Sequence, residues 1–153
     1  MSFELSIINS DPLLLCQTAG ELLHCNERLL SFGLELSPEQ AAALALARAE
    51  ALQGAGRIEL DSGALKRLLL TFCDSPYITA QNLEENVSEL LEAFYYYKNE
   101  TRERISDDEL IAYMKACFDG PCQGSVELMA SRELKALADR LKSSFAESEG
   151  SDE

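Results

Sequence analysis

LEENVSELLEAFYYYK, residues 83–98, is the stretch on which the fold class turns. Leu83, Val87, Leu90, Leu91 and Phe94 recur at helical spacing within about a third of a helix's circumference, while Glu85, Glu89 and Glu92 fall on the far side at about 100° per residue. The pattern is that of an amphipathic helix with an acidic outer face. Thr79 stands ahead of it as a cap. Towards its end, Phe94 and Tyr97 turn to the buried side, Tyr95 lies on the flank and Tyr96 near the acidic face. An exposed tyrosine has no folding task, and large rings of low conformational entropy are common contact material for protein partners. Tyr96, with Tyr95 beside it, is therefore a candidate binding residue.

The flanking segments have the same helical character. Asp11-Pro12 sets a cap residue before a proline at the first helical position, and Leu15, Ala19, Leu22, Leu23, Leu29 and Leu30 follow at helical spacing, which predicts a helix over about 12–31. Ser37-Pro38-Glu39-Gln40 reads as a capping box opening the run AAALALARAEAL, which stops at Gly54-Ala55-Gly56. Leu65, Leu68, Leu69 and Phe72 predict another helix, ended before Pro76 because the residue preceding a proline avoids the helical conformation. Ser106 and Glu109 frame a further capping box, with Leu110, Ile111, Met114, Cys117 and Phe118 behind it and Gly120-Pro121 as the stop. Ser131 is predicted to cap a last helix to about Phe145. The tetrads GLEL and RIEL alternate apolar and polar residues beside glycine, which predicts a minor two-stranded β ribbon over 33–37 and 56–61. The fold expected is mainly α: a single compact bundle of about six helices over residues 1–145, followed by an acidic disordered tail over 146–153.

At 153 residues the chain is long enough for one domain with a real core. Its charge is lopsided: 27 carboxylates face 13 Lys and Arg, a formal net charge of −14. Such a surface repels phosphate backbones and anionic bilayers, so nucleic acid and membrane are not expected partners. The densest basic stretch, Arg132, Lys135, Arg140 and Lys142, is interleaved with Glu133 and Asp139 and reads as a solvated helix face. The opening MSFELSIINSDPLLLC has neither a positive leader nor an apolar run of spanning length. Five cysteines, an odd number without framework spacing, fit reduced thiols and hence the cytoplasm.

Familiar catalytic patterns are missing. The single histidine, His24, projects away from the apolar stripe of its helix, and no G-x-S-x-G elbow accompanies it. Zinc would accept Cys16, Cys25, Cys73, Cys117 or Cys122, but there is no C-x-x-C, and Cys117 and Cys122 are the only close pair. Asp107, Asp108 and Glu109 are explained by the helix start they occupy. Calcium-loop, P-loop and dinucleotide signatures are absent, and no cofactor is expected.

Three segments, FCDSPYIT at 72–79, FYYYKNET at 94–101 and SDDELIAYMKACFDGPCQGSVELM at 106–129, together with the GRIEL turn, resemble an uncharacterised bacterial family of small acidic helical proteins. The resemblance implies a bacterial cytoplasmic protein and brings no reaction, cofactor or binding residue with it. The function expected is a cytoplasmic protein–protein interaction or assembly module without catalytic activity, acting on a protein partner or by self-association through the Tyr96 face. The alternative is a small enzyme or ligand-binding domain with its site at loop ends near Asp74, Tyr77 and Asp119. A structural metal site built from cysteines comes third.

Overall fold

The computed structural model describes residues 11–59 and 63–151. Among them run α1 (Pro12–His24), α2 (Asn26–Leu29), α3 (Pro38–Ala55), α4 (Gly63–Phe72), α5 (Leu83–Glu100), α6 (Asp107–Asp119), α7 (Val126–Leu128) and α8 (Lys135–Ser151). A 3₁₀ turn at Leu30–Phe32 and a π-helical turn at Met129–Leu134 complete the set, and α7, the π turn and α8 form one continuous helical run. Six helices reach ten residues or more among the described residues. The mainly α reading therefore holds.

The caps act where the sequence places them. Asp11 accepts from the backbone N–H groups of Leu13 and Leu14, Ser37 and Gln40 cap each other reciprocally, and Ser106 accepts from Glu109 N–H. These bonds satisfy backbone donors that the first turn of a helix leaves unpaired. α3 ends at Gly56, whose φ of 68° is the left-handed conformation in which glycine replaces a strained side chain.

α5 is the central element. It packs against α3, α4, α6, α7 and α8, while α1 lies along α3 and α4 joins α6. A single core runs through these contacts, with Phe72, Leu90, Leu91, Phe94, Met114 and Phe118 at its middle. Phe72 and Phe118 meet edge to face with ring centres 5.3 Å apart, an arrangement that aligns the positive ring edge with the negative face.

Five local expectations are corrected. The helix predicted over 12–31 breaks at Cys25, where α1 stops and α2 begins. The break turns the Asn26 side chain onto Leu36: its Nδ2 donates to Leu36 O at 3.0 Å and its Oδ1 accepts from Leu36 N at 2.8 Å. That pair of bonds occupies the backbone groups a strand partner would need, and no strand forms among the described residues of 33–37 and 56–61. Leu34 and Leu36 are instead buried pegs of an extended loop; Leu60 and Asp61 lie outside the described residues. Thr79 closes a turn with Asn82 rather than capping α5, which begins at Leu83. The cap of the last helical run is Ser125, accepting from Leu128 N–H, while Ser131 sits inside the π turn. α8 is helical past Phe145 as far as Ser151, into the segment expected to be tail, and Asp152, Glu153 and residues 1–10 lie outside the described residues.

Candidate functional site

The second half of α5 is wrapped on almost every side. Leu90, Leu91, Ala93, Phe94, Tyr95, Tyr97 and Lys98 are all buried. What remains outside is a narrow seam at three- and four-residue spacing, Glu85, Glu89, Glu92, Tyr96 and Asn99. Tyr96 is 57 % exposed and the largest side chain on that seam.

A groove lies on each side of Tyr96. The first, about 520 Å³, runs between α5 and the end of α3, where Ala51, Gly54 and Ala55 are too small to fill the space between the helices. Tyr95 and Tyr96 form its aromatic wall, and Glu50, Glu92 and Glu100 stand along it. The second, about 650 Å³, runs between α5 and the α7–π segment, with Ala93, Tyr97, Val126 and Ala130 on its apolar side and Glu89, Glu92 and Glu127 along it. Tyr96 and Glu92 belong to both. Lys142 pairs with Glu100 at 3.2 Å. No ion pair among the described residues engages Glu50, Glu89, Glu92 or Glu127. Partial burial, reinforced by the charges of Glu85, Glu92 and Glu127, pushes the Glu89 carboxyl above its ordinary pKa.

Both grooves have fixed walls. Under the first, Arg48, 4 % exposed, donates from Nε and Nη2 to Glu59 Oε1 at 3.2 Å each and from Nη1 to Thr18 Oγ1 at 3.2 Å. The Tyr95 hydroxyl donates to the same Glu59 oxygen at 2.5 Å. Burial, followed by the Glu59 charge, raises the Tyr95 pKa well above its ordinary value, so the hydroxyl stays a donor. This network ties α1, α3, the segment after α3 and α5 together. At the groove's end, Asn99 donates to Ala55 O at 2.7 Å and accepts from Arg57 Nη1 at 2.8 Å. Beside the second groove, Tyr97 donates its hydroxyl to Ala130 O at 2.6 Å and Tyr113 donates to Glu133 O at 3.4 Å. Both carbonyls lie in the π turn, where an inserted residue disturbs the regular helical ladder, so side-chain donors are well placed there.

The five candidate binding residues divide. Tyr96 is exposed between the grooves, but Tyr95, placed on the flank by its spacing, is 1 % exposed. The reason is tertiary: α3 covers the flank that a lone helix would show to water. Asp74, Tyr77 and Asp119 do come together, around Lys115. Its ammonium pairs with Asp74 at 2.8 Å and Asp119 at 2.5 Å, Ser75 Oγ donates to Asp119 at 2.6 Å, and Tyr77 lies edge-on to Phe118 at 6.2 Å. The hydrogen bond from Lys115 holds the Asp74 carboxyl below the usual carboxylate range. This cluster fastens the end of α6 to the loop after α4, and both carboxylates are already engaged.

Cys16 is exposed, and Cys25, Cys73, Cys117 and Cys122 are buried with free thiols. Burial pushes the Cys25, Cys117 and Cys122 thiols up, as expected of small apolar core residues. Among the described residues no three His, Cys, Asp or Glu side chains converge as metal donors, and no helix is long and apolar enough to cross a membrane. Glu50, Glu127 and Ala130 join the site from α3, α7 and the π turn. Only the small residues of AAALALARAEALQGA hinted that a helix there would leave room at its surface.

Fold and surface together define an all-α protein whose conspicuous external feature is a tyrosine ridge between two grooves. Residues 21–147 match the family of unknown function DUF6323, and the chain belongs to it. No curated protein and no solved structure matches the chain.

Proposed function

We propose that this protein is a non-catalytic docking module that receives a protein partner along the outer seam of α5. The observation that carries the reading is Tyr96: a large ring, 57 % exposed, standing between two apolar-walled grooves backed by hydrogen-bonded side chains. Aromatic anchors flanked by preformed hollows favour association because little conformational entropy is lost when a partner settles around them. The small-enzyme alternative would use Asp74 and Asp119, and Lys115 holds both in ion pairs. The free thiols favour a reducing compartment, and we place the protein in the cytoplasm on that basis. The experiment that tests the reading is Tyr96→Ala, scored for loss of a partner with the fold intact.

A further inference from the structure

The occupant of the α5 seam has a charge requirement. Glu50 and Glu92 line one groove and Glu89, Glu92 and Glu127 the other, and among the described residues none of the four has a cationic neighbour within ion-pair distance. An acidic or neutral segment laid on this face would crowd or desolvate these carboxylates without compensation. The chain itself does not supply the missing charge: every Lys and Arg lies within the described residues, and the undescribed segments MSFELSIINS, LDS and DE contain none. A second copy brings the same net charge of −14, and eight of its thirteen Lys and Arg are already held in ion pairs, Arg48, Lys98 and Lys115 among them.

We propose that the partner segment is a cationic amphipathic stretch of another polypeptide, its apolar side chains against Tyr96 and its lysines or arginines reaching the carboxylates of both grooves. The proposal rests on the docking reading above and adds the chemistry of the occupant. Two hollows on either side of one ring suit an amphipathic helix laid across them: apolar residues straddle the ring, and long cationic side chains lay their methylenes along Ala51, Ala55, Ala93 and Ala130 with their charges at the rims. Glu92 borders both grooves and is the carboxylate expected to matter most.

The test uses the full chain and three fluorescent synthetic helices of about four turns, identical in their leucines and carrying lysine, glutamine or glutamate at every polar position, titrated by anisotropy. The lysine helix is expected to bind, with affinity reduced about tenfold by Tyr96→Ala and by Glu92→Gln. It should change less than about twofold in the double variant Glu35→Gln, Glu39→Gln, which removes exposed carboxylates at the far end of α3. Its affinity should fall as salt is raised, since rim charges are screened. Equal weakening by the Glu35/Glu39 pair means attraction to bulk charge and overturns the proposal. Tighter Tyr96-dependent binding of the glutamine or glutamate helix overturns the cationic occupant and leaves the docking face standing. If no helix responds to Tyr96→Ala while circular dichroism shows the variant folded, the docking reading falls with it.

Discussion

Arg48 sits in the alanine- and leucine-rich middle of α3, yet it is almost entirely buried. Its charge is tolerable because Glu59 and Thr18 accept hydrogen bonds from it. Arg48→Met is therefore expected to lower unfolding free energy by about 3–5 kcal/mol. Tyr95→Phe, which deletes one hydrogen bond to a charged acceptor, should cost about 1.5–3 kcal/mol. Urea denaturation checks both, and a near-neutral Arg48→Met would mean the network does not hold the groove floor. Lys115 makes a pH prediction. Its hydrogen bond depresses the folded pKa of Asp74, so the folded state binds that proton less readily than the unfolded chain. The stability gained is present above the unfolded carboxylate pKa of about 4 and is lost as pH falls through the folded value. The deficit of Lys115→Met relative to wild type should accordingly be largest near neutrality and shrink below about pH 4. A deficit constant across that range would contradict the ion-pair account. The Arg48 pairing was not legible beforehand: nothing in the run AAALALARAEAL marks Arg48 as buried, and its partner lies outside that helix altogether.

Helices were legible element by element because apolar period and capping boxes are local signals. What escaped was set by neighbours. The apolar stripe of α5 was correctly read from Leu83 to Phe94 and on to Tyr97, but the helices packed around it bury Ala93, Tyr95 and Lys98 as well. Lys98 survives burial by donating to Ile105 O and Asp107 Oδ1, each at 2.8 Å. The ribbon failed for a similar reason: GLEL alternates as a strand does, but a side-chain amide from Asn26 reached Leu36 first. Ser131 looked like a cap because a π turn has no sequence signature, and the true cap stands at Ser125. Ser125→Ala is expected to cost about 1 kcal/mol, whereas Ser131→Ala, at an exposed position, should stay within about 0.5 kcal/mol. Paired thermal melts of the two variants decide it, and the reverse order would contradict this assignment of the last helical run.

At the scale of the molecule, composition correctly pointed to a helical fold with one core, and the charge balance pointed away from polyanions. The packing order was not legible, because alanine- and leucine-rich faces fit many partners. That order is what produces the candidate site: α3, α5 and the π turn come side by side, and Tyr96 is left standing between two hollows. Among the described residues Glu50, Glu89, Glu92 and Glu127 make no ion pair along these hollows, which is the basis on which a partner of opposite sign is proposed. The docking face is tested most directly by measuring, on one preparation of Tyr96→Ala, both the melting temperature and the retention of the binding partner captured by the wild-type chain. The account predicts a melting temperature within about 2 °C of wild type and a partner affinity at least about tenfold weaker. A variant that keeps its partner at full affinity, or that loses it only because the fold melts several degrees lower, would contradict it.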